Sequence, residues 1–231
     1  MKKYAFLDQA NTLYKGYSAS DFYLYLHDQG HVGDWILENN KEMFDGYKSG
    51  RLSYSEASRM IVQLVADVVK EIYPEVLKKM KRQFMTEDRL FPYSVPLIKL
   101  LHEHGFKCIV ISADPSPTVE ALANFLELDT YYASELEKTG NEYTGKVLNV
   151  LNDEDKKAQV EKILSDINEP HITFGFGDST GDIHMLSAVD HAFVVNSHQE
   201  ELDRVAKEKG WNMVTSESIL SKVEKVLEEL Q

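Results

Sequence analysis

The run Tyr4-Ala5-Phe6-Leu7, broken at once by Asp8, constrains the fold more than any other stretch. Four largely apolar residues without alternation read as a strand buried on both faces, the mark of a parallel sheet sandwiched between helices. A strand of this kind hands the next residue to the carboxyl edge of the sheet, where open α/β sheets bind ligands. Taken alone, Asp8 reads equally well as a loop aspartate after an ordinary core strand.

Three later stretches bear on that choice. Ile109-Val110-Ile111-Ser112-Ala113-Asp114 is a second apolar strand ending in a small hydroxyl. Asn152-Asp153-Glu154-Asp155-Lys156-Lys157 opens a helix, and Phe174-Gly175-Phe176-Gly177-Asp178-Ser179-Thr180-Gly181-Asp182 runs from a strand into a glycine-rich acidic turn. If these strands are neighbours in one sheet, Asp8, Ser112 and Asp178 emerge at a single edge, with Asp182 four residues on at a helix start.

Between the first two strands the pattern changes. Ser18 to Asp28, Val32 to Lys48 and Tyr54 to Met80 carry apolar residues at three- and four-residue spacing, which predicts a block of helices without strands. Ser53-Tyr54-Ser55-Glu56 offers a serine cap, and Gly46, Gly50 and Pro74 punctuate the block. From Ser94 onward helix and strand alternate, apart from a hairpin expected at Gly140-Asn141; the last helices are read near Glu200 to Lys209 and Glu217 to Leu230, around Met213-Val214. The prediction is an α/β fold: a doubly wound parallel sheet, Rossmann-like, with an inserted all-helical cap. Residues 1-13 and 91-231 form the core and residues 14-90 the cap, whose two splice points lie beside Asp8.

Composition narrows the function. Of 231 residues 43% are hydrophobic, enough for a substantial core. The net charge of -13 argues against nucleic acid or an anionic membrane surface as partner. No apolar run reaches the roughly 20 residues that span a bilayer, and the apolar stretch after Met1-Lys2-Lys3 ends at Asp8, so a cytoplasmic protein is expected. Cys108, the single cysteine, sits in an apolar strand and reads as a buried structural thiol. His102 and His104, two apart on a helix, do not make a metal pair; His184 could reach the edge of the site. Oligomeric state leaves no trace in the sequence.

Asp8, Asp178 and Asp182, brought together, would raise one another's pKa unless a cation lay between them. A hard divalent ion with oxygen ligands, Mg²⁺ foremost, resolves that conflict and also binds phosphate. In this order, and with a helical insert after the first strand, the four stretches resemble the haloacid dehalogenase superfamily, most closely its phosphoserine-phosphatase-like branch. The resemblance covers nearly the whole chain, and the Gly177 to Asp182 motif is its most specific part. It implies an aspartyl-phosphate on Asp8 and a phosphoryl oxygen bound by Ser112, with Ala113 and Thr12 alongside. It also implies that Lys157 neutralises developing charge. Mg²⁺ would be held by Asp8, Asp178 and the carbonyl of Ala10, with Asp182 orienting metal-bound water or the lysine. The substrate would be a small phosphorylated metabolite. Lys157 is preferred to Lys156 because Val160 and Ile163 then fall three and six residues on.

The sequence departs from the family at position 10. Its phosphatases carry Asp-x-Asp-x-Thr, whose second aspartate protonates the leaving group and deprotonates water; this chain has Asp8-Gln9-Ala10-Asn11-Thr12. Three readings follow: a phosphatase weakened by loss of its acid, a non-hydrolytic phosphate- or partner-binding relative, or a hydrolase of a non-ester substrate such as a phosphonate. Relatives that cleave phosphonoacetaldehyde have alanine here and use a cap lysine; Lys15, Lys41, Lys48 and Lys70 are the candidates. Tyr17 stands where the phosphoserine branch has an acid for the substrate amine, and Ile61 where it has an arginine, with Arg59 nearby. Tyr17, Phe22 and Tyr23 read as cap packing or as a wall for an apolar or cationic leaving group.

Overall fold

The computed structural model describes residues 1–230, and of Tyr54 the backbone only. Seven strands form one sheet in the order β4-β3-β2-β1-β5-β6-β7. They are β1 (Lys2–Leu7), β2 (Phe106–Pro115), β3 (Thr130–Thr139), β4 (Glu142–Asn149), β5 (His171–Gly177), β6 (His191–Val195) and β7 (Asn212–Val214). Every pairing is parallel except β3 with β4, the hairpin turning at Gly140 and Asn141. It is longer than the sequence suggests and forms the sheet's edge.

β1 lies at the centre, and its alternation splits the core into two layers. Phe6 joins Ile109, Ile111, Val160 and Met185 on one face. Ala5 and Leu7 join Cys108, Val110, Phe174 and Phe176 on the other. With Ala5, Phe6 and Leu7 wholly buried, each large side chain contributes about 1.5–3 kcal/mol of burial.

Four helices follow β1 before the chain returns to the sheet: α1 (Ser18–Asp28), α2 (Trp35–Lys48), α3 (Tyr54–Val69) and α4 (Pro74–Phe84). The second begins three residues later than the periodicity suggests, and the stretch from Tyr54 to Met80 divides before Pro74, one of the expected punctuation points. Ser53 does cap α3: its side chain accepts from Glu56 N at 3.3 Å while Glu56 accepts from Ser53 N at 2.8 Å. Phe84 ties the helices together, its ring 5.0 Å from Phe22 and 5.6 Å from Tyr25, with the Arg89 guanidinium 4.4 Å above it.

The two ends of this helical block run side by side. Lys15 N donates to Arg89 O at 2.9 Å and Phe91 N to Leu13 O at 3.1 Å. Ser94 Oγ donates to Leu13 O at 2.8 Å, and Tyr93 Oη donates to Thr12 O. The block is thereby pinned within a few residues of Asp8. The remaining helices are α5 (Ser94–Glu103), α6 (Ser116–Phe125), α7 (Asp153–Ser165), α8 (Ile183–Leu186), α9 (Glu200–Lys209) and α10 (Ile219–Glu229). Where a single helix was expected from Asp182 to Val189, a 3-10 turn over Thr180–Asp182 leads into the short α8. Among the described residues no helix is long and apolar enough to cross a membrane.

Candidate active site

β1, β2 and β5 are adjacent and parallel, with Leu7 level with Val110 and Phe176. The residues that follow them therefore meet at one edge. Asp8 N donates to Phe176 O at 2.9 Å, which fixes Asp8 beside the turn that carries Asp178. One carboxylate oxygen from each of Asp8, Asp178 and Asp182 lies within 4.8 Å of the others. Asp8 and Asp178 border a cavity of about 490 Å³ that Ala10, Ser112, Ala113 and Tyr17 also line.

The lysine in this site is Lys156, not Lys157. Lys156 Nζ donates to Asp8 Oδ1 and to Asp182 Oδ1, each at 2.7 Å, with its side chain 6% exposed. Lys157 points outward and pairs with Glu161 at 3.4 Å. The physical reason is the helical period. At about 100° per residue, Val160 and Ile163 lie about 40° and 20° off the Lys156 direction, but about 60° and 120° off that of Lys157. Val160 is buried, so Lys156 is the lysine that its face carries inward. Asn152 sets this phase by capping α7, accepting from Glu154 N at 2.9 Å and Asp155 N at 3.1 Å.

Asp182 organises the site without facing the cavity. Its Oδ2 accepts from Asp178 N, Ser179 N and Ser179 Oγ at 3.0 to 3.1 Å, leaving Oδ1 for the lysine. Gly177 permits this approach, since a Cβ there would stand 2.5 Å from Asp182 Cβ. Thr12 Oγ1 donates to Asp178 Oδ1 at 3.0 Å, so Thr12 orients one of the three carboxylates. Ser112 is 2% exposed and borders the cavity, and its Oγ accepts from Asp114 N at 3.2 Å.

Electrostatics set these buried groups against one another. Burial pushes Asp8 up to about 7; Lys156 opposes the shift and Asp182 adds to it. Burial, then Asp8 and Asp182, push Asp178 up to about 8. Burial works against the charged Lys156, yet Asp182 and Asp8 hold its ammonium well above the ordinary lysine value. One ammonium faces three carboxylates. Hard oxygen donors at this spacing fit a divalent cation such as Mg²⁺, which would relieve the repulsion.

Several residues at the site escaped the sequence reading. Asp114 Oδ2 accepts from Ser18 Oγ at 2.6 Å and Gln9 Nε2 at 2.9 Å. Gln9 is wholly buried and its Oε1 has no partner among the described residues. Asp153, Phe44, Tyr47 and Gln199 line the cavity. Asp114 carries a signal, an acid two residues beyond the hydroxyl of Ser112; the aromatic pair shows no pattern apart from helix packing. None of Lys15, Lys41, Lys48 and Lys70 lines the cavity, Lys15 donating instead to Asp88 O at 3.1 Å. His184 is exposed and outside the lining. His102 lies at 3.1 Å from Asp129, and burial pushes the Cys108 thiol upward, as befits an inert core cysteine.

A mostly parallel sheet with an aspartate at the end of its central strand, a buried lysine and an acidic turn on the next strand places a carboxylate-rich candidate site at the carboxyl edge of an α/β fold. A family model for haloacid dehalogenase-like hydrolases matches residues 5–187, and the chain belongs to that family. It is similar to a phosphoserine phosphatase of Lactococcus lactis subsp. lactis (strain IL1403), 26% identical over 164 residues, 70% of each chain. It is also similar to phosphoserine phosphatase SerB2 of Mycobacterium tuberculosis (strain ATCC 25618 / H37Rv), 27% identical over 150 residues, 64% of this chain but 35% of that one. In fold it matches a protein of unknown function from Bordetella pertussis Tohama I with a TM-score of 0.80, at 19% identity, covering 94% of this chain and 99% of the other. A substrate-bound phosphoserine phosphatase complex superposes with a TM-score of 0.65 at 21% identity, covering 96% and 98%; at these identities the likeness shows the fold.

Proposed function

We propose that this chain is a Mg²⁺-dependent phosphomonoesterase acting on a small phosphorylated metabolite through an aspartyl-phosphate on Asp8. The observation that carries the reading is the buried Lys156 bridging Asp8 and Asp182 beside Asp178, in the cavity at the sheet's carboxyl edge. Asp8 attacks phosphorus with a carboxylate oxygen, forming the acyl–phosphate bond as the bond to the alcohol oxygen breaks. Lys156 offsets charge gathering on the phosphoryl oxygens and Ser112 Oγ donates to one of them. Water then attacks the phosphoryl group, releasing phosphate and restoring Asp8. Asp8, Asp178 and the Ala10 carbonyl would hold Mg²⁺, which supplies charge neutralisation to the phosphate when bound.

Asp182 acts as a positioning residue for Lys156 and the Asp178 turn. Residues 14-90 serve as the cap, since both of their ends are pinned next to Asp8 and their helices supply Tyr17, Phe44 and Ile61 to the cavity. The lone buried Cys108 fits a cytoplasmic setting.

Ala10 has no transferable proton, so solvent must protonate the departing alkoxide. Esters with acidic alcohols are therefore favoured over alkyl phosphates. Ala10 also favours a second reading, in which the site binds phosphate esters without turning them over. Phosphate release from 4-nitrophenyl phosphate in Mg²⁺ separates the two: activity lost on Asp8→Asn supports the hydrolase, and silence of the folded, Mg²⁺-binding wild type supports the binding protein.

A further inference from the structure

We propose that the cavity selects a phosphate ester whose alcohol carries an ammonium group and no carboxylate, with Asp114 as the ammonium's counter-charge. This inference rests on the phosphomonoesterase reading above.

Asp114 lines the cavity with Asp8, Asp153 and Asp178, and is not one of the three carboxylates Asp8, Asp178 and Asp182 that crowd together. Ser18 Oγ and Gln9 Nε2 both donate to its Oδ2, at 2.6 and 2.9 Å, which fixes the carboxylate. Its Oδ1 has no hydrogen-bond partner among the described residues, although the side chain borders the cavity. No cation bonds to it among the described residues: Lys156, the one basic side chain in the described lining, is bonded to Asp8 and Asp182 at 2.7 Å each and acts on Asp114 only through space. Ser18 and Gln9 are themselves buried, so the acid is held by a frame that a merely solvated surface aspartate lacks.

The rest of the lining agrees. Tyr17 and Phe44 approach with ring centroids 6.2 Å apart and planes tilted by 55°, and Tyr47 borders the same space. Aromatic faces attract ammonium groups and accommodate their carbon skeleton. Helix α3 turns Ala57, Ser58 and Ile61 to the cavity while Arg59 is exposed and outside it. A carboxylate on the leaving group would find no cation there and would meet Asp114 as a like charge. A substrate such as a phosphorylated amino acid is disfavoured; a phosphorylated amino alcohol or its quaternary form is favoured.

The test uses the whole wild-type protein in Mg²⁺, with 4-nitrophenyl phosphate as reporter and three esters as competitive inhibitors. These are phosphocholine, its neutral isostere 3,3-dimethylbutyl phosphate, and O-phosphoserine. The expected order is phosphocholine tightest, by about tenfold over the isostere, with phosphoserine weakest. In Asp114→Asn the advantage of phosphocholine over the isostere collapses towards one. Equal inhibition by phosphocholine and the isostere in the wild type overturns the proposal without a variant having to fold, and so does phosphoserine binding tightest. An Asp114→Asn variant that keeps the full preference, losing only kcat, also overturns it, making Asp114 a proton donor instead. If the wild type does not hydrolyse the reporter at all, the phosphomonoesterase reading falls and this inference falls with it.

Discussion

Replacing Lys156 with methionine keeps the length of the side chain and removes its charge. The ammonium lies 2.7 Å from both Asp8 and Asp182, in a pocket where all three side chains are at most 7% exposed. Deleting one partner of such a buried network leaves the others charged and uncompensated, a loss of about 3–5 kcal/mol. For a domain of ordinary stability, about 5–15 kcal/mol, that is a large fraction of the total. Lys157→Met removes only an exposed pair with Glu161, and its expected effect lies within about 0.5 kcal/mol. Urea unfolding of the wild type and both variants at pH 7 in EDTA reads the difference directly. The penalty on Lys156→Met should shrink as pH falls, because protons then neutralise the carboxylates that the lysine had balanced. Hydrolysis of 4-nitrophenyl phosphate in Mg²⁺ should be lost in Lys156→Met and kept in Lys157→Met. Equal stability of the two variants, or loss of activity in Lys157→Met alone, refutes the assignment of the buried charge.

Three further outcomes follow from the same geometry. Folded-state pKa values raised to about 7 for Asp8 and about 8 for Asp178 mean that the metal-free protein carries extra stability in acid. That stability is full below the ordinary aspartate value of 3.8 and is lost as pH rises from there to about 7 to 8, on the order of a few kcal/mol; Mg²⁺ should flatten the decline, and identical pH profiles in EDTA and Mg²⁺ would remove the case for a cation between these carboxylates. Gly177→Ala sets a Cβ 2.5 Å from Asp182 Cβ, so a thermal melt should show a loss of about 1–3 kcal/mol together with weaker phosphatase activity. Ala10→Asp should raise turnover of alkyl phosphates by about 10²- to 10⁴-fold and that of 4-nitrophenyl phosphate by less; no gain on any alkyl ester would count against a missing proton donor.

The parts of this fold that announce themselves in sequence are those where one local rule acts unopposed. Tyr4 to Leu7 is apolar on both faces because β1 is buried in both layers, and Ser53 with Glu56 spells a cap that forms as written. Asp8, Ser112 and Asp178 could be brought together on paper because strand ends in a parallel sheet share an edge. Which of two adjacent lysines enters the site depends on the phase of one helix, fixed here by the Asn152 cap and the burial of Val160; a spacing of four and seven residues carried that information. The frame that holds Asp114 was not legible, because Gln9 and Ser18 reach it from 105 and 96 residues away in the chain.

Ala10 and Asp114 bear on opposite ends of one energetic problem. An ester with a poor leaving group needs a proton at the bridging oxygen, and position 10 supplies a methyl group. A positively charged substituent on the alcohol lowers the basicity of the departing alkoxide through space and through bonds. An ammonium held against Asp114 would have part of that advantage offset by the acid's own charge. The contact between Asp114 and the ammonium is therefore made alike in the bound substrate and in the transition state, so it tightens binding without helping the leaving group. If so, adding the acid in Ala10→Asp and removing the counter-charge in Asp114→Asn should act on different kinetic constants. The first should appear in kcat for alkyl esters of either charge, the second in KM for the ammonium ester alone, and the double variant should show the two effects multiplied. A strongly non-multiplicative pair would mean that both positions act on the same proton.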